Sequence, residues 1–513
     1  MTRIIDSFLN QFTTYRLTLY YVASLLVLGI VVSLFGVLPG GPMAIVSTVA
    51  LLLAVCLSVN RALSRVLRVT TNPESSIITA LILALIMGPV SVVSDLRHAA
   101  ILAAAGAAAV ASKYALAWKR QHPFNPAAAG ALAAGLLFGT WATWWVGNAA
   151  LLPLVLAGGL LLARKVARFR LLGAFFLFFL VFNAALALVQ GAPVDLMLQS
   201  IPFVFGQTSL LFFGFVMFTE PASSPKRLVP QIVYAAIVAV FYQPQLAILG
   251  VNLTPEEALL IGNLFSFLVS PSFKLRAALR DRREIGEGIT GLVFPKPAGF
   301  SYVPGQYMEW SIPIRRGDSR GNRRYFSIAS SPTEADILIA ARIPPRPSMY
   351  KQELVRLPPG AVVTAGELGG DFVLPRDSRI PLAFVAGGIG ITPFRSMLKY
   401  LVDTGEKRDI VLLYSNYAEQ EIVFDDVLKE AECRIGLRIV HTLTDPTRVR
   451  PGWPGRTGFI NADMIRKEVR DCRSRHFMVS GSPGLVNAVK SALRTAGVPR
   501  RRIRTDYFPG YSL

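Results

Sequence analysis

The chain has 513 residues, a formal net charge of +21 and 52% hydrophobic residues, a composition too apolar for a wholly soluble protein. The charge is divided unevenly, because residues 1–275 carry 16 Lys and Arg against 7 Asp and Glu, and the remaining residues carry 37 against 25. Much of the basic excess lies in short loops between apolar runs, where it is typical of the cytoplasmic side of a membrane protein. We therefore exclude nucleic acid as a partner and expect a membrane half followed by a soluble half.

The few cysteines and histidines limit the redox chemistry. Three cysteines lie far apart in the sequence without a CxxC spacing, so neither an iron–sulfur ligand set nor a disulfide framework is available. No two of the four histidines have a spacing that would ligate stacked haems across a membrane. The sequence therefore predicts no metal site, and any redox group is expected to be organic.

Apolar runs in the first half predict about ten transmembrane helices. The basic residues lie in alternate loops, so that nearly all of them fall on one side of the membrane. By the positive-inside rule this places both termini and the soluble half in the cytoplasm. We expect a multi-pass protein of the cell (inner) membrane, embedded in the lipid bilayer. The predicted spans are 17–36, 42–59, 76–93, 97–117, 125–145, 148–163, 171–189, 200–218, 228–250 and 256–271.

Three polar breaks interrupt these runs and supply the candidate site of the membrane half. Backbone groups freed by proline at membrane depth persist where protein or a polar cavity satisfies them. An ionisable residue such as Glu220 near a span end is a functional candidate. The alternative is that the breaks are ordinary loop ends at the headgroup level. The candidate residues are Asn125, Thr219, Glu220 and Asn263.

The same segments resemble a known family of membrane subunits. The resemblance rests on the apolar run 78–85, the FNPA of 124–127, the FTEPASSP of 218–225 and residues 257–263. It points to the D subunit of the Rnf electron-transport complex and the B subunit of the sodium-translocating NADH:quinone reductase. Those subunits carry FMN on a threonine in an SGAT stretch, which residues 131–163 lack, and Glu220 replaces their aspartate. The resemblance therefore implies a second, non-covalent flavin, FMN or riboflavin, near Asn125 and Thr219.

The soluble half is predicted to contain two domains after a membrane domain at 1–275. Residues 272–286 are rich in Lys and Arg and are expected to form a short helical connector. Short alternating runs at 288–294, 306–312, 324–329, 336–342 and 362–367 then predict an antiparallel β-barrel over residues 285–376. Alternating apolar strands and amphipathic helices predict an α/β nucleotide-binding domain over residues 377–513.

A glycine-rich turn follows the first strand of the predicted α/β domain. Gly387, Gly388 and Gly390 would let backbone approach a phosphate or a nicotinamide ring. We expect Thr392 to be the N-cap and Pro393 the first residue of the next helix. The alternative is a glycine turn that serves only close packing of strand and helix.

A strand in the predicted barrel carries side chains suited to a dinucleotide flavin. Strand alternation places Arg324 and Phe326 on one face and Tyr325 and Ser327 on the other. The strand offers a cation for a pyrophosphate, an aromatic ring for a ring system and a hydroxyl for a ring nitrogen. The alternative is an ordinary edge strand.

Together these segments resemble the ferredoxin-NADP⁺ reductase family over nearly all of residues 285–513. The resemblance rests on the PGQY of 304–307, the RYFS of 324–327, the GGDF of 369–372, the glycine turn and the SGSPG of 480–484. It implies that Arg324 holds the FAD pyrophosphate, Phe326 stacks on the isoalloxazine and Ser327 hydrogen-bonds near N5. Ser348 and Met349 begin a helix at the place of a second phosphate contact.

The resemblance also implies the nicotinamide side of the site. The glycine turn matches the NAD(P) loop, Ser480 stands where many members have cysteine, and Phe508 resembles a C-terminal aromatic that lies near the flavin. Ser327, Ser480 and Phe508 are accordingly the catalytic candidates. The other cofactor-binding candidates are Tyr325, Ile328, Ala341, Thr392, Pro393, Gly481 and Pro483.

The sequence thus predicts a membrane-bound NAD(P)H-dependent flavoprotein oxidoreductase. Hydride would pass from NADH or NADPH to FAD, and electrons would continue to a membrane quinone or to the second flavin. The absence of Arg or Lys from the SNYAE of 415–419 favours NADH over NADPH. Two alternatives stay open, namely a redox-coupled ion pump or transporter with a flavin-reductase domain, and a soluble-type reductase merely tethered to lipid.

Overall fold

The computed structural model divides the chain into two compact units, Met1–Phe273 and Lys274–Leu513. Each unit is described by itself. The structure describes residues 5, 8–9, 12–38, 40–67, 73–91, 94–117, 122–191, 193–243, 246–248, 251–270, 274–314 and 322–507.

The first unit is built almost entirely of helices. A two-residue hairpin of β1 (Ala247–Ile248) and β2 (Val251–Asn252) precedes the last of them. The helices are α1 (Thr14–Ser33), α2 (Gly41–Val66), α3 (Pro73–Ile86), α4 (Leu96–Ala115), α5 (Pro126–Phe138), α6 (Leu152–Lys165), α7 (Phe169–Val189), α8 (Val194–Gln207), α9 (Leu210–Phe218), α10 (Leu228–Phe241) and α11 (Pro255–Val269).

Three helices among the described residues are long and apolar enough to cross a membrane, rather than the ten predicted. These are α1, α2 and α7, and a fourth span results if α8 and α9, which are bent by 63° to each other, count as one. Among the other predicted spans, α4 has 20 residues but does not count as a candidate span, and most of the rest contain shorter helices where glycine or proline interrupts the apolar run. Helix α3 has 14 residues, or roughly 21 Å at the usual rise per residue, and ends just before Gly88 and Pro89.

Close helix packing and a π-helical turn shape the core of this unit. A Cβ added to Gly130 of α5 would lie 2.5 Å from the Ala105 carbonyl oxygen of α4, so only glycine permits this approach. Helix α9 is α-helical over Leu210–Phe212 and π-helical over Phe213–Phe218, and its residues are all buried. Small residues at helix contacts and isolated π-helical turns are both common in functional membrane proteins.

The predicted helical connector at 272–286 is wrong, because the described part of it is strand. Strand β3 (Leu275–Ala278) pairs antiparallel with β9 (Val362–Gly369). Strand β4 (Asp281–Gly286) pairs antiparallel with β5 (Ile289–Pro295). The first four residues of β4 are exposed, so the segment shows no alternating apolar pattern that would reveal a strand. The strands that follow are β5 (Ile289–Pro295), β6 (Tyr307–Ser311), β7 (Arg323–Ser327), β8 (Asp336–Arg342) and β9 (Val362–Gly369).

These antiparallel strands form two hydrogen-bonded sheets in the described part of the chain. One has the order β3-β9-β6-β7 and the other β4-β5-β8. The predicted strands are therefore present, but a closed barrel is not confirmed. The sheets enclose an apolar core that includes Phe294, Trp310, Ile339 and Tyr350. Tyr350 belongs to helix α12 (Met349–Arg356).

The rest of the second unit is a parallel six-stranded sheet with the order β13-β12-β11-β10-β14-β15, as the alternating pattern predicts. Apolar clusters lie on both faces of its central strands. The strands are β10 (Leu382–Gly387), β11 (Ile410–Asn416), β12 (Arg438–Leu443), β13 (Arg456–Thr457), β14 (His476–Gly481) and β15 (Ile503–Tyr507). The helices are α13 (Thr392–Thr404), α14 (Asp425–Ile435), α15 (Ala462–Glu468) and α16 (Pro483–Thr495).

Candidate functional site

The glycine turn lies between β10 and α13, at the carboxyl edge of the parallel sheet. Gly388 has φ +52°, and a Cβ added to Gly390 would lie 2.5 Å from the Ser480 carbonyl oxygen. A Cβ added to Gly387 would overlap the Leu485 side chain. The turn is therefore pressed against the end of β14 and the start of α16, and the two loops form one surface. Packing and ligand approach both require glycine here.

The predicted N-cap at Thr392 is wrong. Gly388–Ile391 forms a 3₁₀ turn, and Thr392 is the first residue of α13, with helical φ and ψ of −54° and −47°. Its Oγ1 donates to the Ile389 carbonyl oxygen at 3.1 Å rather than accepting from a backbone N–H. Pro393 is therefore the second residue of α13 rather than the predicted first, but it still stands in the first turn. Among the described residues no side chain caps this helix start, and the Thr392 backbone N–H already donates to the Ile389 carbonyl oxygen.

Ser480 stands at the end of β14, beside Ala386 of β10. Its Oγ is buried and has no hydrogen-bond partner among the described residues. Gly481 follows it against the glycine turn, and Pro483 begins α16, whose N-cap Ser482 accepts from the Leu485 N–H at 3.3 Å. A buried hydroxyl without a protein partner costs stability unless another group satisfies it. Ser480 therefore fits a site that takes a polar ligand.

Strand β7 places Arg324 and Phe326 on one face, as alternation predicts. The Arg324 guanidinium lies 4.9 Å from the centre of the Tyr350 ring, and the Phe326 ring lies 6.1 Å from the same ring. Tyr325 lies on the other face, where its hydroxyl donates to Glu367 Oε2 at 2.6 Å. Tyr350 follows Ser348 and Met349 directly, so the start of α12 is close to Arg324. A cation, a ring and a helix start thus occupy one region.

Ser327 ends β7 with a buried Oγ that has no partner in the described part of the chain. The Ile328 and Ala341 side chains are fully or almost fully buried in the apolar core, so they can offer a ligand backbone groups only. Ser348 caps α12 by accepting from the Lys351 N–H at 3.4 Å, and Met349 is the first helical residue, as predicted. The Ser348 hydroxyl is therefore already engaged within the helix start.

Contacts that sequence reasoning missed join β7 to the glycine turn. Arg395 of α13 donates to the Ala329 carbonyl oxygen at 3.2 Å and pairs with Glu334, with Nη2 to Oε1 at 2.9 Å. The Ser396 hydroxyl donates to the Ser330 carbonyl oxygen at 2.6 Å. Because Ser330 lies three residues beyond Ser327, these bonds hold the end of β7 against the helix that follows the glycine turn. These contacts join residues that lie about sixty positions apart in the sequence, so only the folded structure reveals the roles of Arg395 and Ser396.

A second ion pair fixes the other side of this junction. Arg342, at the end of β8, pairs with the buried Glu421, with Nη1 to Oε2 at 2.8 Å. The same guanidinium lies 3.5 Å from the position that a Gly388 Cβ would take. A guanidinium therefore lies directly beside the glycine turn, with its charge paired to the Glu421 carboxylate.

Acidic residues crowd the face of β6 and β7 that carries Tyr325. Glu309 is 8% exposed and accepts from Arg323 Nη1 at 3.3 Å. Burial, helped by the nearby Glu367 carboxylate, raises the pKa of Glu309 to about 7. Burial is also the main cause that raises the pKa of the Tyr325 hydroxyl, with Glu367 and Glu309 next. This face therefore changes its charge near neutral pH.

The carboxyl ends of β11 and β12 carry exposed groups that sequence reasoning also missed. The loops are joined because the Thr444 N–H donates to Asn416 O at 2.9 Å and the Asp445 N–H to Tyr417 O at 3.2 Å. Phe459, beyond β13, is 77% exposed. Exposed rings and a carboxylate at this edge suit the adenosine part of a dinucleotide. The sequence signal that could have identified this edge was an aromatic residue, Phe459, directly after a turn glycine.

The candidates of the membrane half form a buried network rather than separate loop ends. Asn125 Nδ2 donates to Glu220 Oε2 at 2.9 Å, and the Asn125 N–H donates to Asn263 Oδ1 at 2.9 Å. Asn263 also donates to the Ser223 carbonyl oxygen at 3.2 Å, and the Ser223 hydroxyl donates to Glu220 Oε2 at 3.0 Å. Thr219 instead donates to Phe215 O of its own helix. The network ties the start of α5, the turn after α9 and the middle of α11 together.

One sequence-predicted site residue, Phe508, lies outside the described residues. Within the described ranges, no group of three or more His, Cys, Asp or Glu side chains is placed to hold a metal ion.

Residues 384–491 match the family described as Oxidoreductase NAD-binding domain. The chain is 29% identical over 234 residues to ferredoxin--NADP reductase B of Sorangium cellulosum, covering 44% of this chain and 94% of that protein. It is 27% identical over 256 residues to NADH-cytochrome b5 reductase 1 of Aspergillus terreus, covering 46% and 82%. Among solved structures, the flavohem-like FAD/NAD-binding domain of a Vibrio cholerae nitric oxide dioxygenase matches with a TM-score of 0.41 and 19% identity, covering 45% and 98%.

The C-terminal half thus contains a ferredoxin-NADP reductase-like NAD-binding domain, and the chain is an NAD(P)H-dependent FAD oxidoreductase. The residues present fit FAD. The two buried hydroxyls of Ser327 and Ser480, without partners in the described part of the chain, and the cation of Arg324 beside a helix start are groups that such a cofactor would satisfy.

Proposed function

We propose that the chain is a membrane-bound reductase that takes hydride from NADH and delivers electrons to an acceptor in the membrane. The observation that carries the reductase part of the proposal is that the hydroxyls of Ser327 and Ser480 are both buried and have no partner in the described part of the chain. When bound, FAD supplies the step from hydride transfer to release of electrons.

Arg324, Phe326 and Ser327 bind and orient the flavin in this proposal. The Arg324 guanidinium and the N–H groups at the start of α12 bind the pyrophosphate, which is the usual anion site at a helix start. Phe326 supplies an apolar ring face for the isoalloxazine, and Ser327 Oγ supplies the hydrogen bond near N5. These roles account for a strand whose Arg and Phe share one face and whose last hydroxyl has no described protein partner.

The glycine turn and the end of β14 position the nicotinamide. Gly387, Gly388 and Gly390 let the dinucleotide approach the backbone beside the end of β14. The ferredoxin-NADP⁺ reductase resemblance implies that Ser480 is beside the nicotinamide ring, and in this proposal its hydroxyl would hold the ring in a geometry for hydride transfer. Phe508 would cover the flavin from the C-terminal side, as the ferredoxin-NADP⁺ reductase resemblance implies.

The membrane context rests on the first unit. Its apolar helices, the basic loops on one side and the resemblance to the Rnf and sodium-translocating subunits favour a multi-pass protein whose reductase unit faces the cytoplasm. Three described helices, or four if the bent pair α8 and α9 counts as one span, are long and apolar enough to cross the membrane. The acceptor is a quinone or a second, non-covalent flavin near Asn125 and Thr219.

Purified full-length protein in detergent tests the proposal. We expect bound FAD, and NADH-driven reduction of both ferricyanide and a short-chain ubiquinone. Protein that holds FAD and reduces ferricyanide but not the quinone would refute the quinone acceptor, and protein without flavin would refute the reductase itself. Release of a second flavin on denaturation would instead favour an internal relay.

A coupled ion pump is the second candidate, and the buried network around Glu220 favours it. A carboxylate held by Asn125 and Ser223 between three helices is a site where charge could be bound and released. In sealed proteoliposomes, an ion flux that starts with NADH and is lost in Glu220→Gln would support the pump. NADH oxidation without any flux, unchanged by Glu220→Gln, would leave the plain reductase.

A further inference from the structure

Two arginines beyond β12 are each held by a glutamate. Arg448 Nη2 lies 2.5 Å from Glu287 Oε2 and its guanidinium lies 5.8 Å from the centre of the Tyr417 ring. Arg450 Nε lies 2.8 Å from Glu419 Oε2. Glu287 lies on the turn between β4 and β5, far from Arg448 in sequence, and its backbone N–H donates to Gln420 O at 3.0 Å. The antiparallel part thus reaches across to the nucleotide-binding part.

These arginines lie at the edge where a dinucleotide places its adenosine ribose. In open parallel sheets the ligand lies beyond the carboxyl ends of the strands, and a residue after a neighbouring strand contacts the ribose 2′ position. Tyr417 follows β11 and Asp445 follows β12, and backbone hydrogen bonds join the two loops. Arg448 extends from the same loop as Asp445 and contacts Tyr417.

A carboxylate stands beside these arginines. Asp445 Oδ1 accepts from the Thr447 N–H at 2.9 Å and from the Thr447 hydroxyl at 2.7 Å. These hydrogen bonds from Thr447, with a further one from Tyr417, lower the pKa of Asp445 and keep it ionised. An ionised carboxylate accepts a hydrogen bond from a ribose 2′-hydroxyl and repels a 2′-phosphate.

A 2′-phosphate needs a guanidinium that can turn its fork of N–H groups toward it. Arg448 cannot do so while Glu287 holds it, and Glu287 adds a second negative charge close by. We propose that Glu287 makes the site selective for NADH over NADPH by holding Arg448 away from a 2′-phosphate. The inference rests on the proposed use of a nicotinamide nucleotide and adds the residue that makes the site select NADH over NADPH.

The test compares Glu287→Gln with Glu284→Gln in full-length protein. Glu284 lies on β4, just before the same turn, is exposed and accepts from the Gly288 N–H, so its substitution removes one charge nearby without touching Arg448. The measurements are kcat/KM for NADH and NADPH with ferricyanide, and the inhibition constant of 2′,5′-ADP, which reports binding without hydride transfer. We expect Glu287→Gln to raise the ratio of kcat/KM for NADPH to that for NADH about threefold to tenfold. We expect it to tighten the binding of 2′,5′-ADP by a similar factor.

A double variant separates the arginine from simple loss of charge. In Glu287→Gln/Arg448→Leu we expect the gain toward NADPH and 2′,5′-ADP to disappear. An unchanged ratio in Glu287→Gln, an equal gain in Glu284→Gln, or a gain that persists without Arg448 would each overturn the inference. Wild-type protein that reduces ferricyanide with neither nucleotide would instead contradict the proposed function, so the two failures are distinguishable.

Discussion

Gly390 lies so close to Ser480 that a Cβ on the glycine would come within 2.5 Å of the serine carbonyl oxygen. This contact presses the glycine turn of β10 onto the end of β14, and it brings the turn that would bind the dinucleotide next to the buried Ser480 hydroxyl. The candidate site therefore depends on the approach of two loops that lie about ninety residues apart in the sequence.

Gly390→Ala is expected to separate these loops, because the Ser480 carbonyl is backbone and cannot move aside. We expect a loss of about 1–3 kcal/mol in the free energy of unfolding of the second unit and a higher KM for NADH. Thermal melts and steady-state kinetics measure both. Gly484→Ala is the matched control, because a Cβ at Gly484 meets nothing within 4 Å. Equal effects in the two variants would contradict the role of the contact.

Ser327→Ala and Ser330→Ala distinguish a hydroxyl kept for a ligand from one used by the fold. Ser327 Oγ has no partner in the described residues, so we expect its loss to change the free energy of unfolding of flavin-free protein by less than about 0.5 kcal/mol. Hydride transfer should slow about threefold to tenfold. Rapid mixing with NADH measures that rate.

The Ser330 hydroxyl accepts from the Leu338 N–H at 2.9 Å, so Ser330→Ala leaves a half-buried donor without this partner. We expect this control to lower the free energy of unfolding by about 1–3 kcal/mol. If Ser327→Ala destabilised flavin-free protein as much as Ser330→Ala does, the assignment of Ser327 to a ligand would be wrong.

Arg324→Ala is expected to weaken FAD binding about tenfold to a hundredfold, because a charge-assisted hydrogen bond to the pyrophosphate is lost. Titration of flavin-stripped protein with FAD, followed by flavin fluorescence, measures the change. Arg323→Ala is the comparison, since Arg323 pairs with Glu309. Unaltered FAD affinity in Arg324→Ala would remove Arg324 from the proposed site.

Glu309 should make the second unit less stable as pH rises toward 8. Its pKa in the folded protein is about 7, above the ordinary range for a carboxyl, mainly because it is buried and secondly because Glu367 is near. The folded state therefore holds the proton more tightly than the unfolded state does, and this contribution to stability is present at pH 4 and lost through pH 7. We expect the melting temperature of Glu309→Gln, relative to wild type, to rise between pH 5 and pH 8. A constant difference would contradict the raised pKa.

The sequence predicted the elements whose patterns are local. The alternation in β5 to β9 and the strand and helix alternation from β10 onward are visible because their apolar residues repeat at the period of one element. Strand β4 escaped because its first four residues are exposed and charged residues dominate it. The position of Thr392 was misjudged because a 3₁₀ turn precedes α13, and a threonine at a helix start looks the same as a cap in sequence.

Prediction from sequence meets the same limit in the membrane half. Hydropathy runs through glycine and proline breaks, so it predicted longer spans than the helices that form. Asn125, Glu220 and Asn263 were each selected for their own local context. Their mutual hydrogen bonds, like the contacts of Arg395 and the pairing of Arg448 with Glu287, join distant parts of the chain, and no local pattern records such a pairing.

The most direct measurement is anaerobic rapid mixing of the full-length protein, reconstituted in lipid nanodiscs, with NADH while flavin absorbance is followed near 450 nm. The account predicts rapid bleaching by NADH, slower bleaching by NADPH, and recovery of the absorbance when a short-chain ubiquinone is added. Bound flavin that neither nucleotide bleaches would contradict the central claim that this chain passes electrons from a nicotinamide nucleotide through FAD.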